Sequence, residues 1–305
     1  MKRLNTIRIV LLAALLAPIH ATPSWADLKV FACEPEWAAL AQEIGGDKVS
    51  TYSATTALQD PHQVQARPSL VARLRGADLL ICTGAELEIG WLPVLLLQAA
   101  NGAVQAGSPG YLEAAAMVQR LEIPSQVDRA QGDVHASGNP HIQTDPRRMA
   151  PVAREVLARM SQLDPANTAF YQKRHEAFAQ KWEQALKRWE SAAAPLRGVP
   201  VLVYHRSWIY LIDWLGIQQV GELEPKPGIP PSTAHLNDLI NRLKANPAKM
   251  VIRSAYEDDR AAIFISEREK IPAVVLPFTV GGTDGAKDLF SLYDDTINRL
   301  LGALK

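Results

Sequence analysis

An excess of charge of either sign is missing from this sequence: 32 Lys and Arg are matched by 32 Asp and Glu, for a formal net charge of 0. No basic block interrupts the mixture. A polyanion binder needs a concentrated positive footprint, so nucleic acid and anionic membrane surfaces are excluded as main partners. Long apolar runs are equally scarce. The clearest, residues 9–16, falls short of the roughly 20 residues that span a bilayer, and nothing comparable follows, so direct membrane insertion is not expected. Cysteine is limited to Cys33 and Cys82, in a spacing that resembles no zinc motif. No solenoid period and no low-complexity tract stands out. The His-Glu-x-x-His pattern of a zinc hydrolase is absent as well.

What is present begins with Lys2, Arg3, the apolar run and the small residues Ser24 and Ala26. This is the pattern of a secretory signal peptide over residues 1–26, with cleavage after Ala26. A lipoprotein would need a cysteine at the cleavage point, and the first one, Cys33, lies further on. The expected location is therefore the periplasm, and the remaining chain has the length of about two domains, each large enough for a core. In that oxidising compartment an even pair of cysteines is a candidate disulfide; two buried free thiols are the alternative.

From Leu28 onward, β-rich runs at 28–32, 49–54, 79–82 and 103–106 alternate with helical patterns. The first helix has Trp37, Leu40, Ala41 and Ile44 on its apolar face and ends at Gly45-Gly46. The rhythm returns at 199–204, 218–223, 249–256 and 273–278. Between the two series the residues read as long helix, with Val152, Val156 and Met160, then Phe170, Phe178, Trp182, Leu186 and Trp189 on one face. Asp164-Pro165 interrupts and restarts it. The expected fold is α/β: an N-terminal lobe at 27–145, a stiff helical linker at 146–194 and a C-terminal lobe at 195–305. The segment 105–139 is the least regular and is expected to include a mobile loop.

Of seven histidines, His20 leaves with the signal peptide. Three of the others stand in telling contexts. His62 lies in Asp60-Pro61-His62, His141 in Asn139-Pro140-His141 ahead of Asp145-Pro146, and His205 ends a strand. Strand ends and turns are where α/β folds place ligand-binding groups. The prolines stiffen the backbone that carries His62 and His141. Three imidazoles plus one oxygen or water suit a tetrahedral zinc shell. A carboxylate is expected nearby, to orient a ring or complete the shell, with Asp60, Glu257, Asp258 and Asp284 as candidates. His135 is a candidate for a secondary capture role or a plain loop residue. His175 reads as a solvated position on the linker helix, and His235 as a first-turn residue behind an Ser232 N-cap. Trp182 and Trp189 read as core, and Gly281-Gly282 as a helix-entry turn. Cys33 and Cys82 each end a strand of the same lobe, where parallel neighbours would bring them within disulfide range.

The chain resembles the cluster A-I solute-binding proteins of ABC importers, the zinc and manganese receptors, over nearly all of its length after residue 26. The resemblance rests on Asp60-Pro61-His62 with Arg67-Pro68-Ser69, on residues 84–91 (GAELEIGW), on Asn139-Pro140-His141 with Asp145-Pro146, and on Tyr204-His205 before a buried helix. It implies two (β/α)4-type lobes bridged by a long helix, a metal site in the interlobe cleft with His62, His141 and His205 as ligands, and a membrane permease as partner of a monomeric receptor. Zinc is the expected cargo, with manganese less favoured by three nitrogen donors. The family's usual final Asp after the last strand is missing, since 276–282 holds no carboxylate before Asp284, so the fourth ligand is left among His135, Glu257 and Asp284. A secreted zinc-dependent hydrolase and a metal-independent adhesin or accessory protein are the competing functions.

Overall fold

The computed structural model describes residues 27–126, 132 and 134–305. The expected signal peptide lies outside the described residues, as do 127–131 and 133 of the irregular segment. The first β/α series gives β1 (Leu28–Ala32), α1 (Pro35–Gly45), β2 (Val49–Ser53), α2 (Pro68–Arg75), β3 (Leu79–Cys82), α3 (Leu92–Ala99) and β4 (Tyr111–Glu113). The strands form a parallel sheet in the order β2-β1-β3-β4. All four residues of β3 are buried, as a parallel strand covered on both faces requires. Trp37, Leu40, Ala41 and Ile44 of α1 are buried as the periodicity predicts. Gly46 takes φ +55° just beyond, where a residue with a side chain would be strained.

The strand expected at 103–106 is not there. A short 3-10 turn occupies Gly102–Val104, and the Asn101 side chain accepts from Ala103 N. The fourth strand is instead Tyr111–Glu113, with Leu112 buried, while Val104 of the expected run is buried from the turn. The turn folds tightly against the strand's start: a Cβ at Gly110 would lie 2.3 Å from the Ala103 carbonyl oxygen.

Helices α4 (Met149–Leu163) and α5 (Thr168–Ala192) follow, separated by a 3-10 turn at Pro165–Asn167. Asp164 does not cap a backbone N–H as expected. Its carboxylate accepts from Tyr171 Oη (2.6 Å) and Asn167 Nδ2 (2.7 Å), which pins the corner. The second series is β5 (Pro200–Val203), α6 (Ile209–Leu215), β6 (Gln218–Glu222), α7 (Thr233–Leu243), β7 (Met250–Ser254), α8 (Arg260–Glu269), β8 (Ala273–Leu276) and α9 (Leu289–Gly302). Its parallel sheet has the order β6-β5-β7-β8, the same arrangement as the first.

One buried apolar cluster runs from Leu28 through α4 and α5 to Leu300. Trp182 and Trp189 belong to it, with rings 5.0 Å from Phe290 and Tyr293 of α9 respectively. Their indole N–H groups donate to the Pro146 carbonyl (2.9 Å) and to Asp294 (2.6 Å). Cys33, one residue past β1, is bonded to Cys82 at the end of the adjacent β3, with Cα atoms 4.7 Å apart and both residues fully buried. Closing a loop of that length stabilises the fold by roughly 4 kcal/mol in the chain-entropy picture. Among the described residues no helix is long and apolar enough to cross a membrane.

Candidate metal centre

Three loops deliver the histidines to one point. His62 follows β2 in a turn closed by its own N–H to Asp60 Oδ1 (3.0 Å), and the preceding Pro61 carbonyl accepts from the buried Trp91 indole (2.9 Å). His141 enters the centre of the molecule: its N–H donates to Asn139 Oδ1 (3.0 Å), while Asn139 also binds the Arg206 carbonyl (3.0 Å) and accepts from Tyr210 Oη (2.6 Å). His205 sits two residues past β5, at the start of the turn into α6. One ligand atom from each of His62, His141 and His205 lies within 4.8 Å of the others. Their ring centroids are 5.3, 5.6 and 5.7 Å apart.

Carboxylates fix two of the rings. His62 Nδ1 is 2.8 Å from Asp60 Oδ1, and His205 Nδ1 is 2.6 Å from Glu224 Oε2. With Nδ1 held in each case, Nε2 is the nitrogen left to a ligand, the usual division in a histidine metal site. His62 Nε2 and His141 Nδ1 are buried without a hydrogen-bond partner. Unpartnered buried nitrogens are costly, and a bound cation would satisfy them.

Glu224 was not legible among the candidate carboxylates. The signal that finds it is strand order: β6 runs parallel beside β5, so the residues just past their carboxyl ends meet, and Glu224 N donates to the Tyr204 carbonyl (3.1 Å). Of the four expected carboxylates, Asp60 orients His62. Glu257 lines, with Asp60, His62, His205 and Glu224, a cavity of about 200 Å³. Its Oε2 accepts from Ser254 N (2.6 Å) and its Oε1 has no partner. Asp258 instead pairs with Arg260 at 2.9 Å. Asp284 is exposed in the turn before α9, outside the histidine group, so the structure does not bring it to the site.

His135 is not a plain loop residue. Its ring stacks on His62 at 5.4 Å and meets His141 edge-on at 6.4 Å, and its Nε2 is buried and unpartnered. The backbone beside it is anchored by Ala136 N donating to Glu86 (2.6 Å). His175 lies partly buried on α5 and His235 in the first turn of α7, where Ser232 accepts from its backbone N–H as expected.

The electrostatics suit a cation. Burial, reinforced by the other imidazoles, holds His141 well below the usual histidine range and His135 at about 4, so both rings are neutral with a lone pair free at neutral pH. For His205 burial acts downward, but the Glu224 hydrogen bond and charge outweigh it and raise the value. Burial lifts Glu257 to about 7 against the pull of His205.

Over residues 30–303 the sequence matches the family described as "ZnuA: Zinc-uptake complex component A periplasmic". The chain belongs to this family. It is therefore a metal-binding, solute-binding component of a transporter and not an enzyme. Among curated relatives, the manganese ABC transporter substrate-binding lipoprotein PsaA of Streptococcus pneumoniae serotype 4 is 22% identical over 96% of this chain and 95% of its own length. The metal ABC transporter substrate-binding lipoprotein SloC of Streptococcus mutans is 22% identical over 92% and 90%. A crystal structure of ZnuA superposes with a TM-score of 0.77 at 22% identity, covering 92% of this chain and all of that one. A manganese-bound periplasmic metal-binding protein from Candidatus Liberibacter asiaticus gives 0.72 at 15% identity over 91% and 99%. At such identities the superpositions establish the ZnuA-family fold alone.

Proposed function

We propose that this ZnuA-family chain is a monomeric periplasmic receptor that takes up one zinc ion and delivers it to the membrane permease of an ABC importer. In this reading the ion sits between an N-terminal lobe (27–145) and a C-terminal lobe (195–305), joined by the helical linker 146–194. The observation that carries it is the convergence of His62, His141 and His205 within 4.8 Å, with buried unpartnered nitrogens on His62 and His141. His135, stacked on His62 but outside the three-histidine group, is the candidate for a further donor from the irregular segment.

Zinc rather than manganese follows from the donor set. Manganese prefers oxygen-rich octahedral shells, whereas imidazoles suit a tetrahedral borderline ion. The nearby Asp60 and Glu224 direct oxygens at imidazole Nδ1 atoms, which leaves nitrogen as the main donor. PsaA is named for manganese, so the two ions are the assignments to separate. Isothermal titration of the metal-free protein with zinc, with manganese, and with zinc in competition with manganese does so. A one-to-one zinc complex that excess manganese leaves intact is expected; displacement at comparable concentration overturns the zinc assignment. Copper outcompeting zinc would follow from affinity order alone.

A further inference from the structure

Apart from the histidines, three buried glutamates gather at the carboxyl ends of β1 and β3. Glu34 and Glu36 stand at the start of α1, and Glu88 in the loop after β3; they are 2%, 0% and 2% exposed. Glu88 accepts from Thr83 N (2.7 Å) and Gly84 N (3.0 Å). Thr83 Oγ1 donates to Glu34 (3.1 Å) and accepts from the Trp37 indole (2.8 Å). Glu34 and Glu88 thus share Thr83 as a hydrogen-bond partner, Glu34 through its hydroxyl and Glu88 through its backbone N–H. Glu36 reaches the other way. Its Oε2 accepts from Thr279 Oγ1, a residue of the loop after β8 in the second half of the chain. One oxygen each of Glu34 and Glu36 has no partner.

The loop that carries Thr279 also carries Phe278, whose ring lies edge-on to His141 at 5.5 Å and to Tyr256 at 5.5 Å. Gly281, two residues on, faces Ala57 of the first half. The Glu36–Thr279 contact is thus an interlobe joint with a short mechanical path to the metal site. Other titratable groups around the cluster are Tyr293 of α9, Tyr111 and Glu113 of β4, and Asp145, which is itself paired with Arg147 and Arg148.

We propose that Glu34, Glu36, Glu88 and Thr279 form a proton-operated joint between the lobes, closed on a neutral Glu36 and opened to water when that proton is lost. Burying an ionised carboxylate without a cation is costly, and opening the joint hydrates it. Burial raises Glu36 to about 7, although the Thr279 hydrogen bond pulls the other way; burial raises Glu88 to about 7, and burial with the neighbouring Glu88 and Glu36 holds Glu34 well above the usual carboxyl range. The closed joint therefore holds a proton that the hydrated one gives up. Opening frees the 278–283 loop and with it the packing of Phe278 on His141.

The test uses metal-free protein, so its outcome is separate from the identity of the metal. Amide hydrogen exchange of residues 278–283 is followed from about pH 5.5 to about pH 8.5, corrected for the intrinsic exchange rate. In the wild type, protection is expected to drop as pH rises through about 7; in Glu36→Gln, which is neutral throughout, it should persist. Infrared difference spectra of wild type against Glu36→Gln supply a second measure: an acid carbonyl band belonging to Glu36 should be present at about pH 6, where solvated carboxyls are ionised, and vanish by about pH 8.5. Protection independent of pH in the wild type, an equal loss in Glu36→Gln, or no acid band at the lower pH would each overturn the joint.

Discussion

His205 and Glu224 meet across the carboxyl ends of β5 and β6, with Nδ1 2.6 Å from Oε2 and both side chains about nine-tenths buried. The carboxylate fixes the ring's orientation and favours its protonated form. With a folded-state pKa above the ordinary histidine value of 6.5, the pair stabilises the metal-free protein fully below about 6.5, and that stabilisation is lost as pH rises through the raised value. Zinc needs the neutral ring, so its binding at about pH 6.5 should release a proton, read as a buffer-dependent heat in titration calorimetry. Glu224→Ala removes the orienting partner and is expected to weaken zinc by roughly 10–100-fold. Unchanged affinity in that variant would mean that His205 needs no help to face the metal.

His141 has the opposite sign. Burial first, and the neighbouring imidazoles second, hold its folded-state pKa well below 6.5. A depressed base stabilises the fold above the unfolded value, and the contribution is lost as pH falls through the folded one. The melting temperature of the metal-free protein should therefore carry an acid limb beginning below about pH 6.5. His141→Asn cannot take up a proton and should flatten that limb; the same pH profile in both proteins would sink the prediction.

The Cys33–Cys82 bond ties β1 to β3 beside the buried glutamates. Thiol titration of the unfolded, unreduced protein should find no reactive group. A Cys33→Ser/Cys82→Ser double variant should lose about 2–4 kcal/mol in denaturant unfolding. Two titratable thiols in the wild type would restore the alternative of free cysteines.

Particular residues show how far the sequence could be read. Leu79 to Cys82 were legible as a strand because four apolar residues in a row suit a layer covered on both sides, and all four are buried. Tyr111–Glu113 were not, since three residues give no period to read and the turn before them rests on the close approach of Gly110 to Ala103. The histidine triad showed itself through local context, proline before two of its members and a strand before the third. Glu224 depends on β6 lying beside β5, which is a matter of strand order. Glu34, Glu36 and Glu88 carry no local mark of burial; Glu36, for one, is covered in part by a loop more than 240 positions away, at Thr279.

The histidines decide the function together. Each of His62, His141 and His205 offers one nitrogen to a group whose candidate ligand atoms lie within 4.8 Å; if the three ligate together, His62→Ala, His141→Ala and His205→Ala should each weaken zinc by orders of magnitude. His135→Ala removes a donor carried on the irregular segment and should weaken binding less, with a faster dissociation. His175→Ala on α5 and His235→Ala on α7 should leave affinity near wild type. Zinc should also raise the wild-type melting temperature by mass action, because the unfolded chain holds no preformed site. Rings that merely packed would behave otherwise: their loss would lower the melting temperature of the metal-free protein and leave zinc affinity in place. His141 discriminates best, being 1% exposed and central to the ring contacts. Wild-type zinc affinity in His141→Ala would leave the chain with the ZnuA-family fold but a metal site somewhere else.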